Sequence, residues 1–169
     1  MNNHLIIGSV SEHLRNLLWS AIQPHAHFGL RNERDIVFTS PAVRLGGHSS
    51  QLSLWLYHTS FSPILRNVPS TRGSNPVVET PALQLDLHYL ITPLATDADE
   101  DIHLFETVVR TLSSHPVVTL ERPSDQPQQL RITPRADSPF DRAAIWQALR
   151  TDFHLAAAYD VSGLHLAIA

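Results

Sequence analysis

Cysteine is absent from the 169 residues, which removes disulfides and thiolate metal sites from the possible chemistry. Lysine is absent too: all twelve basic residues are arginine. Arginine is the more weakly hydrated cation and makes planar, forked contacts, so it suits protein interfaces better than lysine does, although a genomic compositional bias explains the same count more simply. Charge is sparse as well, at 17% of residues with a net charge of -4. Arginines scattered through a mildly acidic chain disfavour a nucleic-acid platform, and few charges leave neutral surface available for burial against protein partners. No apolar run approaches the roughly 20 residues that span a bilayer, and the N-terminus lacks a basic segment followed by an apolar one. Neither a membrane protein nor a Sec-exported one is expected. Also missing are a Gly-x-Ser-x-Gly elbow, a His-Glu-x-x-His pair, a phosphate loop and a Gly-x-Gly-x-x-Gly turn, so no cofactor is expected. No internal repeat occurs.

What is present reads as one domain spanning residues 1–169, long enough to bury its own core at 43% hydrophobic content. Ser9-x-x-Glu12 reads as a capping box opening a helix, with Leu14, Leu17, Leu18 and Ile22 at helical spacing and Pro24 as its stop. Asp35–Thr39 and Leu52–Tyr57 are strand candidates. From Ser62 to Pro81, proline, glycine, serine and asparagine recur without period, a loop long enough to suggest ordering by a partner.

In Ala82–Leu94, strict alternation places Leu83, Leu85, Leu87, Tyr89 and Ile91 on one face of a central strand and Gln84, Asp86, His88 and Thr92 on the other. Asp97, Asp99, Glu100 and Asp101 crowd the start of a second helix, where the helix dipole favours negative charge. Its buried stripe is expected at Ile102, Phe105, Val109 and Leu112. Val117–Leu120 and Gln129–Thr133 suggest two strands around a proline-rich turn. Ser138-Pro139, with Asp141, opens a third helix whose Ile145, Trp146 and Leu149 face inward. The alternations on either side of Ser162-Gly163 indicate a hairpin or one bulged strand. Helices and strands mix without regular alternation, which predicts an α+β fold.

Chemistry is thinly signalled. His25-Ala-His27 has chelating spacing but follows Pro24 in an expected loop, and ordinary loop histidines are the better reading, with no metal assigned. Asp86 and His88 share a strand face and form a conceivable acid–base pair. Without a nucleophile in a recognisable setting, a polar face packed on a helix or neighbouring subunit is preferred. Arg66-Asn67 suits anion binding or locking of the long loop, and Trp19, Trp55 and Trp146 sit in apolar patterns as core residues.

The order of these segments resembles a known family. The helix Val10–Leu18, the Leu-rich strand Leu52–His58 and the pair Arg66-Asn67 come first. Pro-x-Leu-x-Leu-Asp-Leu-His-Tyr-Leu ending at Leu90, His115-Pro116-Val117, a helix with Trp146 and a strand with Tyr159 follow. From about Val10 to Ile168 the chain is similar to the N-terminal domain of tube-terminator (cap) proteins of extracellular contractile injection systems, the antifeeding-prophage and virulence-cassette type of phage-tail-like particle. The resemblance implies a phage tail-terminator-like fold, a mixed β-sheet packed with about three helices. It implies a structural cap and not an enzyme: a hexameric ring that ends the inner tube and anchors the last sheath ring. The partners so implied are further copies of the chain, the inner tube protein and the sheath protein, with no nucleic acid and no membrane. The implied location is the bacterial cytoplasm during assembly and then the assembled, releasable particle. Arg66, Asn67, Asp86, His88, Tyr89, His115, Pro116, Trp146 and Tyr159 become candidate interface or structural residues. Longer members of the family carry a further C-terminal portion, whose role is not carried over to these residues. The competing readings are a small hydrolytic enzyme using the Asp86/His88 face and an adaptor that forms no ring.

Overall fold

A computed structural model of the chain describes residues 6–25, 28–44, 49–61, 83–122, 125–136 and 138–166. Three helices and six strands alternate irregularly along it: α1 (Ile6–Ile22), β1 (Ile36–Val37), β2 (Gln51–Phe61), β3 (Leu83–Leu94), α2 (Ala98–Ser114), β4 (Val117–Arg122), β5 (Asp125–Pro134), α3 (Pro139–Leu149) and β6 (Ala157–Leu166). The strands form one sheet in the order β1-β2-β3-β6-β5-β4. The β1–β2 pairing is parallel and the other four are antiparallel. The expected α+β class, a mixed sheet with three helices, is what forms.

Helix α1 carries Ile6, Val10, Leu14, Leu18 and Ile22 every fourth residue, one stripe that packs on the sheet. The stripe begins before the expected capping box. Ser9 therefore lies inside the helix, and Glu12 pairs with Arg15 instead of reaching back to a cap. Apolar periodicity outweighed the cap signal.

In α2 the expected stripe holds at Leu112 and is otherwise displaced. Leu104, Val108, Thr111 and Leu112 are buried, whereas Ile102 is 56% exposed. Both sets are apolar at helical spacing, so the pattern alone does not fix the rotation. The N-terminus does: the Asp97 side chain caps the Asp99 amide, and the Asp101 carboxylate accepts the Ala95 amide at 2.8 Å. Turning residue 101 toward the preceding chain carries 104, 108 and 111 to the core. Helix α3 follows expectation, with Ser138 accepting from the Asp141 amide at 3.2 Å and proline in the first turn.

The main core lies between one sheet face and the pair α1–α2. From β3 it takes Leu85, Leu87, Tyr89 and Ile91, all nearly inaccessible. Leu83 does not join them: at the strand's entry, opposite Leu166, it is 36% exposed. Tyr89 meets Tyr159 across the β3–β6 ladder, and its hydroxyl bonds Ser11 of α1 at 2.8 Å.

The opposite face is less watery than alternation predicts. Leu90, Ala156 and Ala158 close a second cluster with Trp146 of α3, flanked by Trp55, Tyr57, Ile145 and Leu149. Thr92 and His88 on that face are buried too. Of the two readings for the end of the chain, the bulge is realised. Leu85 pairs with Leu164 and Leu87 with Val161, so β6 holds one extra residue there. Gly163 sits at it with φ 93°. A Cβ at that position would lie 2.8 Å from the Gln129 carbonyl oxygen, so the bulge requires glycine on two counts. No helix among the described residues is long and apolar enough to cross a membrane.

Candidate functional site

The second face of the sheet carries its concentrated polar chemistry where β2, β3 and β6 run side by side. Register puts His58 opposite His88, Ser60 opposite Asp86, and His88 opposite Asp160. Cross-strand neighbours on one face stand close enough for direct contact, and here they form a chain of hydrogen bonds. Ser60 Oγ lies 2.8 Å from His88 Nε2, and His88 Nδ1 lies 2.6 Å from Asp160 Oδ1. His58 stacks on the His88 ring with centroids 5.2 Å apart.

Arg135, just past β5, also comes within 3.0 Å of His88 Nδ1. A guanidinium only donates and a carboxylate only accepts, so Nδ1 cannot satisfy both. The shorter contact, to Asp160, governs. In the neutral ring Nδ1–H donates to Asp160, and the Nε2 lone pair faces the Ser60 hydroxyl. Arg135 then serves Asp160, at 3.6 Å. Both partners are more than a third exposed, so this ion pair orients more than it stabilises.

Asp86, the expected partner of His88, takes no part in this chain. One of its carboxylate oxygens is buried with no hydrogen-bond partner among the described residues. Burial pushes its carboxyl above the usual carboxylate range; His88 opposes the shift and Asp160 adds to it.

The remaining candidates are scattered. Tyr89 and Tyr159 belong to the main core, and burial raises both hydroxyls, Tyr89 to about 12, against the opposing hydrogen bonds from Ser11 and Ser113 respectively. His115 is the C-cap of α2, its Nδ1 2.8 Å from the Thr111 carbonyl oxygen. The carbonyl of Pro116 accepts the Ile132 amide, tying the helix exit to β5. Trp146 is buried in the second cluster, and its indole nitrogen has no partner among the described residues. Arg66, Asn67, His27 and the Ser62–Pro81 stretch lie outside the described residues. Among the described residues no three histidine or acidic side chains converge in a way that could hold a metal ion.

Sequence reasoning missed Ser60, Asp160 and Arg135. The available signal was alternation within β2 and β6, which gives the face of each residue but not the strand beside it.

A family model described as the Pvc16 N-terminal domain matches residues 9–166. The fold is shared with the cryo-EM structure of the sheath/tube terminator, in its extended state, of PVC, an extracellular contractile injection system. The TM-score is 0.66 at 19% identity, over 100% of this chain and 58% of that one. It is shared too with the cryo-EM structure of the anti-feeding prophage cap, a tube-terminating cap. There the TM-score is 0.61 at 15% identity, over 92% of this chain and 54% of that one. The chain thus spans little more than half the length of either. No curated protein sequence matches.

Proposed function

From the premise that this chain belongs to the Pvc16 N-terminal domain family, matched over residues 9–166, we propose that it is the terminator of a contractile injection particle. That family match, joined to a fold shared with a solved sheath/tube terminator at a TM-score of 0.66, is the observation that carries the reading. Residues 1–169 act as one tail-terminator-like domain, and capping requires no bond to be made or broken.

The mechanism is geometric. Tube rings add head to tail, a heterologous contact that never closes by itself. A terminator whose lower face imitates the next ring, and whose upper face lacks that ring's contact surface, ends growth. Six copies around the tube axis match the tube's symmetry, and the same ring holds the last sheath ring, so that contraction drives the tube. A closed ring of identical copies needs two different contact faces on each copy. Large apolar side chains are exposed on different elements that can serve this, including Ile102 on α2, Val117 on β4 and Phe61 on β2. Assembly takes place in the bacterial cytoplasm, and the protein then remains with the particle.

The test is deletion of the coding sequence, with electron microscopy of the particles that form. Tubes and sheaths of uneven length, precontracted particles or their loss through instability are expected. Uniformly long, contraction-competent particles from the deletion strain reject the assignment. A ring of another order at the particle end rejects the sixfold symmetry, and a single copy there rejects the ring and favours the adaptor reading.

A further inference from the structure

We infer that Ser60 is an activated nucleophile, a site at which this chain accepts an acyl or phosphonyl group from a small activated donor such as an aryl ester or a fluorophosphonate. The inference goes beyond capping and is independent of it. Its basis is the chain Ser60 Oγ–His88 Nε2–His88 Nδ1–Asp160 Oδ1, with contacts of 2.8 and 2.6 Å at its two joints. A base bonded to a hydroxyl, and itself oriented by a third group, is the arrangement that makes a serine nucleophilic.

Three further features support it. His88 is held from all sides: buried in the sheet face, stacked on His58, and bonded at both nitrogens, so its lone pair stays aimed at Ser60. Asp160 is fixed in turn by Arg135 at 3.6 Å. Ser60 itself is only half-buried near the solvent end of β2, between the exposed Thr59 and Phe61, which leaves a small electrophile room to approach.

In the reaction the Ser60 Oγ–carbonyl carbon bond forms while its proton passes to His88 Nε2. The bond from that carbon to the aryl oxygen breaks, and the phenol leaves with the proton from His88. With a fluorophosphonate the new bond is Oγ–P, and hydrogen fluoride leaves.

The same geometry sets a limit. Ser60 lies in an extended strand, where successive amide N–H groups point to opposite sides within the sheet plane and do not converge on an acyl oxygen above it. No local backbone pair can stabilise the oxyanion formed in acylation or in release by water, so only a donor with a good leaving group acylates Ser60, and the alkyl ester so formed, whose leaving group is poor, resists hydrolysis. Ser60 therefore captures one group and keeps it, which agrees with a structural protein that performs no turnover.

The experiment treats the purified chain with a fluorophosphonate probe and, separately, with p-nitrophenyl acetate, and locates the adduct by peptide mass spectrometry. One equivalent on Ser60 is expected, with a burst of nitrophenol and no sustained release. Ser60→Ala removes the adduct, His88→Gln slows its formation about 100-fold or more, and Asp160→Asn slows it about tenfold or more. Circular dichroism confirms that each variant is folded. No adduct on the folded chain, or an unchanged rate in folded His88→Gln, overturns the inference, and sustained release overturns the limit to one equivalent. Should His88→Gln fail to fold, Ser60→Cys decides. The chain has no other cysteine, so iodoacetamide reports that thiol alone. It should react at least about tenfold faster than a free thiol at neutral pH, as thiols paired with imidazole do; an equal or slower rate overturns the inference. Labelling needs only isolated protein and capping is read on particles, so either result stands without the other.

Discussion

Raising the pH tests the main core through one hydroxyl. Tyr89 is fully buried, and its hydroxyl bonds Ser11 Oγ at 2.8 Å where α1 crosses the sheet. Burial lifts its pKa from 10.0 to about 12, although the bond to Ser11 opposes the lift. Below pH 10 the tyrosine is neutral in both folded and unfolded chains, and stability does not depend on it. Between pH 10 and 12 the unfolded chain releases this proton and the native one retains it, so stability falls as pH rises. Two pKa units correspond to about 2.7 kcal/mol in all, most of it lost by pH 12. Tyr89→Phe removes the titrating group. At neutral pH the variant should lose about 1 kcal/mol, the usual net value of a hydrogen bond, since Ser11 keeps its contact with the Ile7 carbonyl. The two stability curves should therefore cross near about pH 11. Urea denaturation of both proteins at intervals from pH 8 to about 12 measures this. Tyr159, whose hydroxyl burial also raises, contributes alike to both and cancels in the difference. Parallel curves would mean that Tyr89 is not sealed in the core as described, and the packing of α1 on β3 would be wrong.

Three further outcomes are expected. Leu87→Ala, at a side chain with no exposure, should cost about 2–5 kcal/mol in chemical denaturation; a loss below about 1 kcal/mol would place Leu87 outside the core. Gly163→Ala should destabilise by about 1–3 kcal/mol, because a Cβ at φ 93° meets the Gln129 carbonyl oxygen at 2.8 Å. A neutral effect in thermal unfolding would deny the bulge. Ser138→Ala should cost about 1 kcal/mol by leaving the Asp141 amide without its cap, and an unchanged melting temperature would show that α3 does not depend on its N-terminal serine.

The class of fold and its central strand were legible because their signals are local and redundant. Leu85, Leu87, Tyr89 and Ile91 repeat the same choice at alternate positions, and Ser138-Pro139 with Asp141 marks a helix start within four residues. The failures fall where two local signals compete. Ser9 with Glu12 imitates a cap, yet Ile6 and Val10 extend the same buried stripe past it. Ile102, Phe105 and Val109 make as good a stripe as Leu104 and Val108. The choice between them turns on Asp101 accepting the Ala95 amide, a contact no periodicity encodes.

The candidate site was illegible for a different reason. Ser60, His88 and Asp160 are 28 and 72 residues apart in successive steps, and each is unremarkable in its own strand. What joins them is register, and register depends on two irregularities: the slip between Leu56 and His58 in β2, and the bulge at Gly163 in β6. Shifting a strand by one residue turns its side chains to the other face. Had β2 kept the register it holds before the slip, Ser60 would be offset along β3 from its place opposite Asp86. The bulge takes up its extra residue between Val161 and Leu164, so Asp160 stays opposite His88 while Leu164 still faces the main core. Apolar pairing alone gives no reason for the slip in β2. The polar chain gives one, because the same offset lets the Ser60 hydroxyl reach a histidine whose other nitrogen is already committed to Asp160. Deleting Tyr57, the surplus residue of the slip, leaves Leu56 opposite Tyr89 and Ser60 opposite Asp86 in an unbroken ladder, so the variant should fold and keep labelling of the serine; a folded variant that no longer labels would refute the claim that the pairing beyond the slip is what brings Ser60 to His88.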